Sequence, residues 1–203
     1  MLNGQFAFAV WDTKEKSLFL ARDRVGIRPL FYTYQNSRLV FASEIKSIFE
    51  FPDVVRKLNY NALRQTFTFW TALSPHTVFD GITELPPGHF LEYKQQQINV
   101  EKYWEPAING FDNRFKGSLD DAGEELGYLL NDAVKLRLRA DVPVGSYLSG
   151  GLDSAVIASI IRQNSPEGLL QTFSIGFSEE EYDEGTFQNK MVEQLKTQHH
   201  KAY

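Results

Sequence analysis

The 203-residue chain contains no cysteine, which removes a disulfide framework, a thiolate metal site and a cysteine nucleophile from anything these residues can do. It has no apolar run near the roughly 18 residues that suggest a membrane-spanning helix. Its start, MLNGQFAFAVWD, lacks the charged lead, long apolar centre and small-residue cleavage site of a secretory signal. Basic clusters are also missing: the 21 Lys and Arg are scattered among 26 acids, and the net charge of −5 argues against nucleic acid or an anionic membrane as partner. The expectation is a soluble, cytoplasmic protein. What the chain does have is apolar bulk, 42% hydrophobic with 16 Phe and 9 Tyr, enough to bury one or two ordinary cores.

Strand signals dominate the first hundred residues. Phe6, Phe8 and Val10 alternate with Ala7, Ala9 and Trp11, and a polar turn from Asp12 to Lys16 leads into SLFLA, predicting a hairpin with a buried Phe face. PLFYTY and RLVFAS, joined through Gln35, Asn36 and Ser37, predict a second hairpin, and short helices are expected over 43–49 and 59–67. ELPPGHFLEY and QINVEKYW complete a third hairpin. The pattern lapses after Trp104, and the polar stretch over 105–117 reads as a linker.

The character then changes. Ser118 opens a helix with a Ser-x-x-Asp capping pattern, and Leu119, Ala122, Leu126, Leu129, Leu130, Ala133 and Val134 recur at helical spacing. Next come VPVGSYLS as a short buried strand, a Gly-Gly loop, a helix over 154–163, the strand LQTFSIGF and a helix over 183–196. This βαβα order belongs to a parallel sheet with crossover helices. HHKAY, at the end of the sequence given, has the look of a third strand beginning.

The stretch SGGLDS, Ser149 to Ser154, falls between the strand and the helix, at the carboxyl end of a parallel strand where such sheets bind ligands. Gly150 and Gly151 let backbone N–H groups approach an anion, and Ser149 and Ser154 add hydroxyls at a helix N-terminus whose dipole favours negative charge. No Lys follows the glycines as in a Walker loop. Asp153 stands there instead, a carboxylate that bound phosphate would repel unless a magnesium ion bridged them. The plain alternative is that Asp153 or Ser154 only caps a helix.

This loop resembles the pyrophosphate-binding loop of the ATP pyrophosphatases. The longer stretch AVKLRLRADVPVGSYLSGGLDSAVIASI, followed by TFSIGF, YDEG and HH, resembles the synthetase domain of glutamine-hydrolysing asparagine synthetases. NGQFAFAVWD, LFLARDRVGIRPLFY, FASEIKSI, GITELPPGHFLEY and KYW are similar to the later part of that family's class II glutaminase domain. The resemblance implies a mixed α/β and α+β chain. Residues 1–104 would be a partial N-terminal-nucleophile hydrolase (αββα) sheet, 105–117 a linker, and 118–203 the opening βαβα of a Rossmann-like ATP pyrophosphatase domain. It implies a carbon–nitrogen ligase that makes asparagine from aspartate through a β-aspartyl-adenylate, with ammonia from glutamine. ATP and Mg2+ are its cofactors, aspartate, glutamine and ATP its small-molecule partners, and a homodimer is left open. Carried over by position, Ser149, Gly150, Gly151, Leu152, Asp153 and Ser154 match the ATP-binding loop, with Asp153 the metal candidate. Leu148 and Ile175 match ATP-contacting positions at strand ends, where core packing is the bland reading.

The departures are equally specific. That family's glutaminase uses an N-terminal cysteine, whereas residue 2 is Leu; the family's Asn-Gly-Glu and Gly-Ser-Asp stretches, second Ser-Gly-Glu-Gly-Ser-Asp loop and later lysine are not found. The sequence therefore reads as an internal fragment with no catalytic residue of its own, and residues 1–203 alone are expected to hydrolyse no glutamine and form no asparagine. A related ligase such as a β-lactam synthetase or other amidotransferase, or a non-catalytic nucleotide-binding module, would carry the same residues.

Smaller signals receive plainer readings. Arg22, Asp23, Arg24 and Arg28 read as a salt-bridged turn rather than an anion site. His199 and His200 face opposite ways in a strand and do not chelate one metal. His76 and His89 read as turn packing. The acidic run of Glu179, Glu180, Glu181, Asp183 and Glu184 reads as a helix start.

Overall fold

A computed structural model describes residues 2–107, 115–165, 170–179, 181 and 183–203. The described residues up to 107 form one unit and those from 115 a second. The expected linker over 105–117 overlaps the edges of both units, and its residues 108–114 lie outside the described residues.

In the first unit, β1 (Ala7–Asp12) and β2 (Ser17–Arg22) form the expected hairpin, with Asp12 Oδ1 accepting from the N–H of Lys14 at 2.8 Å and of Glu15 at 2.9 Å to fix the turn. β3 (Phe31–Gln35) and β4 (Arg38–Ala42) meet at Asn36 and Ser37, both left-handed at φ 51° and 59°, the backbone a tight hairpin turn demands. The helices α1 (Ile45–Ile48) and α2 (Tyr60–Phe69) follow, the latter capped by the Asn59 side chain, which accepts from Ala62 N–H at 3.1 Å. Next are β5 (Thr83–Glu84), β6 (His89–Lys94) and β7 (Gln97–Lys102).

These strands make two antiparallel sheets, ordered β1-β2-β6-β7 and β4-β3-β5. Leu20 and Leu91 of the first sheet pack with Leu30 and Leu85 and with Tyr32 and Leu39 of the second. Full burial of each such Leu contributes about 1.5–3 kcal/mol. The opposite face of the second sheet, Phe31, Val40 and Ala42, buries Ile48 of α1. The expected buried Phe face of the β1–β2 hairpin is not the face that meets the second sheet. The register pairs Leu20 with the exposed Ala9 and the buried Leu91 on the face that meets Leu30 and Leu85, and places Phe8, Phe19 and Phe90 on the other. There Phe6, Phe8, Phe19 and Phe90 run in a row, ring centres 5.2–6.2 Å apart, half-buried except for Phe19 at 36% exposed.

The second unit begins with α3 (Leu119–Arg137), whose N-terminus carries the anticipated capping box: Asp121 N–H donates to Ser118 Oγ at 3.1 Å and Ser118 N–H to Asp121 Oδ2 at 2.8 Å. Val134 is its buried residue, packing on Ile161 and Leu170, while Leu119, Leu126 and Leu129 are exposed. β8 (Gly145–Tyr147), α4 (Leu152–Asn164), β9 (Gln171–Ile175), α5 (Gly185–Leu195) and β10 (Gln198–Ala202) complete the unit. Both pairings are parallel and the order is β10-β9-β8. The third strand is therefore fully formed, extending βαβα to βαβαβ. α4 starts at Leu152, two residues before the expected Ser154, so Asp153 sits in the first helical turn rather than in the loop.

Candidate functional site

The loop lies at the carboxyl end of β8, between that strand and α4. Leu148, fully buried, donates its N–H to Phe173 O at 2.8 Å and continues the ladder one residue past β8. From there the chain turns through Gly150 at φ 92°, a conformation that side chains rarely tolerate. A Cβ at Gly150 would stand 2.9 Å from Glu184 Cβ and 3.1 Å from Glu184 O, so glycine is required there for space as well.

Two serines hold the turn shut. Ser149 Oγ and Ser154 Oγ are 2.9 Å apart, Ser149 N–H donates to Ser154 Oγ at 3.1 Å, Gly151 N–H donates to Ser149 Oγ at 3.2 Å, and Ser154 Oγ donates to Gly151 O at 3.1 Å. Gly151 is the N-cap of α4 and supplies no side-chain cap, so neither Asp153 nor Ser154 plays that part. Among the described residues, the N–H groups of Gly150, Leu152, Asp153 and Ser154 have no acceptor in the protein. An α-helix N-terminus leaves such donors unpaired, and with its dipole they favour negative charge.

Asp153 is exposed in this first turn. Among the described residues no group of three His, Cys, Asp or Glu stands together to hold a metal. A divalent ion at Asp153 would take its remaining ligands from phosphate oxygens and water, the arrangement common for magnesium. Leu152 is 79% exposed, and Ile175, the last residue of β9, is 62% exposed.

Beside the loop is a cavity of about 260 Å³ lined by Tyr147, Leu148, Ser149, Phe173, Ser174, Ile175, Phe177, Glu184 and Gln188. Its walls are mainly apolar and aromatic, suited to a flat, poorly hydrated group next to an anion. Leu148, Ser149 and Ile175 are among the residues expected from the sequence; Glu184 lies in the YDEG stretch and in the acidic run, where it reads only as a helix start, and Gln188 of α5 belongs to no motif. Gln188 is 3% exposed and reaches Ser149 O from 39 positions away.

The other candidates are structural. His199 Nδ1 and Nε2 lie 2.9 Å from Thr172 Oγ1 and Ser174 Oγ, and burial together with the charges of His200 and Lys201 lowers its pKa. His200 stacks on Phe173 on the opposite face. His89 Nδ1 meets Pro87 O at 2.7 Å, and His76 bridges to Thr83. Of the acidic run, Glu180 lies outside the described residues, Asp183 pairs with Lys201 at 3.3 Å, and Glu184 is the N-cap of α5.

The Arg22–Asp23 turn is a closed knot. Arg22 donates through Nε to Arg28 O at 2.9 Å, through Nη1 to Glu84 Oε1 at 2.6 Å and Leu85 O at 2.7 Å, and through Nη2 to Gly26 O at 2.8 Å. The carboxylate of Asp23 accepts from the N–H of Phe6 at 3.2 Å and of Ile27 and Arg28 at 3.0 Å. Burial alone raises the Asp23 pKa, but the N–H groups of Arg28, Ile27, Phe6 and Gly26 outweigh it and hold the carboxyl below its ordinary value. Arg22 pairs with Glu84 of β5, so the ion pair is long-range rather than local to the turn.

Comparison with known proteins adds an independent line. The glutamine amidotransferase domain model matches residues 1–104, just over half of the 203. The chain belongs to the glutamine amidotransferase domain family. The asparagine synthase model matches residues 125–203 of this amidotransferase-family chain. It is 38% identical over 215 residues to asparagine synthetase (glutamine-hydrolyzing) 3 of Bacillus subtilis, covering 99% of this chain and 34% of the relative. It is 35% identical over 204 residues to putative asparagine synthetase (glutamine-hydrolyzing) 2 of Methanocaldococcus jannaschii, covering 99% and 39%. It is 36% identical over 172 residues to the amidase chry2 of Gibberella zeae, covering 82% and 24%. The chain thus spans between a third and two fifths of the length of the first two relatives. No helix among the described residues is long and apolar enough to cross a membrane.

Proposed function

We propose that the second unit is the nucleotide-binding opening of an ATP pyrophosphatase-type synthetase, and that the first is part of a class II glutaminase of the N-terminal-nucleophile kind. Together they would serve a ligase that forms asparagine from aspartate through a β-aspartyl-adenylate, with ammonia from glutamine. The observation that carries this reading is the loop: four N–H groups without a protein acceptor, at Gly150, Leu152, Asp153 and Ser154, at the carboxyl end of a parallel strand. The face-to-face antiparallel sheets with α1 on one outer face support the N-terminal-nucleophile assignment, and the parallel βαβαβ order supports the Rossmann-like one.

In this reading the open amides receive the β and γ phosphates, and Ser149 and Ser154 keep the turn in shape. The cavity beyond Leu148 and Ile175 takes the base. Asp153 would hold magnesium, which when bound neutralises the phosphate charge that the carboxylate would otherwise repel. A carboxyl group attacking the α-phosphorus releases pyrophosphate into the amides that already grip it, so the loop stabilises the leaving group. The 203 residues contain no cysteine, and we expect them to hydrolyse no glutamine by themselves.

Isothermal titration of the chain with ATP and magnesium tests the reading. Saturable binding is expected, weakened at least tenfold in Asp153→Ala. The absence of binding at millimolar ATP, or equal binding by the variant, overturns it. A ligase acting on another acyl group would use the same loop, and turnover with aspartate against other carboxylates in the full-length enzyme separates the two.

A further inference from the structure

We infer that Gln188 is a positioning residue of the nucleotide loop, one that fixes the Ser149–Gly150 peptide plane; the inference rests on the nucleotide reading above. The side chain is 3% exposed, and its Nε2 donates to Ser149 O at 3.2 Å and to Ile175 O at 3.5 Å. One amide therefore spans the carboxyl ends of the adjacent parallel strands β8 and β9.

The consequence follows from peptide geometry. In a trans peptide the C=O and the next N–H point in opposite directions within one plane. Holding Ser149 O toward Gln188 therefore aims Gly150 N–H the other way, and that N–H is one of the donors without a protein acceptor. Gly150 has little conformational restraint of its own, so a peptide flip here would turn a carbonyl toward a bound anion. Gln188 opposes the flip. At β9 the same plane rule is visible from both sides: Ile175 O meets Gln188, and the following Gly176 N–H donates to Ala202 O at 2.7 Å.

The start of α5 is itself anchored. A Cβ at Gly185 would stand 2.8 Å from Asp183 Oδ2 and from Lys201 Nζ, which form an ion pair. Glu184 and Phe187 then pack against Gly150. Gln188 retains a buried Oε1 with no hydrogen-bond partner. Such groups are rare and call for a reason, and the donor half of the amide supplies one.

The test uses the chain with magnesium ATP as probe. Gln188→Met keeps length and bulk but removes the donor, and Gln188→Glu places an acceptor opposite two carbonyls. Expected are about tenfold weaker binding for Met, a larger loss for Glu, and a changed Gly150 amide resonance with the melting temperature nearly unchanged in Met. Binding by Gln188→Met within twofold of the wild type, with the Gly150 resonance unmoved, overturns the inference while leaving Asp153→Ala to judge the nucleotide reading separately. Failure of the wild-type chain to bind removes both. Should Gln188→Met not fold, exchange of the Gln188 side-chain amide protons decides in the wild type. Exchange slower than that of the exposed Gln95, Gln96 and Gln97 supports the strut, and equally fast exchange overturns it.

Discussion

The Arg22–Asp23 turn and the Ser149–Ser154 loop look alike as sequence and differ in one physical respect. Each pairs polar residues with a glycine at positive φ, Gly26 at 70° and Gly150 at 92°, and neither glycine has room for a Cβ. In the first, the guanidinium of Arg22 and the carboxylate of Asp23 are turned inward onto backbone partners and Glu84. In the second, the serine hydroxyls bond one another and the N–H groups of Ser149 and Gly151, and leave the amides of Gly150, Leu152, Asp153 and Ser154 open. Satisfied polarity holds a fold together, whereas donors left without an acceptor at a strand end are available to a ligand.

The sharpest way to break this contrast is Arg22→Met. It leaves the partly buried Glu84 and three carbonyls, that of Leu85 buried, without the guanidinium, and removing one partner of such a pair costs about 3 kcal/mol, the lower end for buried ion pairs. Urea unfolding of the first unit should show that loss, with ATP binding by the second unit unchanged. Asp23→Asn should cost about 2 kcal/mol, since both carboxylate oxygens accept from backbone N–H groups and the amide puts an NH2 donor opposite one set of them while leaving only a neutral acceptor for the other. The same carboxylate sets a pH dependence. Its folded pKa is depressed, so its contribution is complete above the unfolded value of about 4 and is lost as pH falls through the folded value. Acid titration followed by near-UV circular dichroism should show the wild type losing stability in that window and Asp23→Asn losing less.

The two glycines give a matched pair. Gly26→Ala and Gly150→Ala should each cost at least about 1–2 kcal/mol, because both force a side chain into the left-handed region and onto a neighbour, Pro87 or Glu184. Only Gly150→Ala should lower ATP affinity, by tenfold or more. The smallest expected effect is Ser118→Ala, which removes the α3 cap for about 1 kcal/mol, measurable as a lower melting temperature of the second unit alone.

What could be read from the sequence was local. The hairpin turn at Asn36 and Ser37, the capping box at Ser118 and Asp121, and the loop itself depend on neighbours in the chain, and residue chemistry announces each. Alternation divided β1 and β2 into faces, but which face was covered depended on the second sheet; Leu30 and Leu85 meet the Leu20 side and leave the Phe row on the other face. The α3 pattern likewise did not say that only Val134 and its neighbours would meet α4. Gln188 and Glu84 were illegible for the same reason, since each acts on residues 39 and 62 positions distant.

Residue-level mapping of magnesium ATP onto the second unit tests the central claim most directly. Backbone amide spectra recorded through a titration should show the largest shifts at Gly150, Leu152, Asp153 and Ser154, saturating together, with Gly26 and Ile27 still. Shifts absent from those four amides, or centred on the Arg22 turn, would contradict the account.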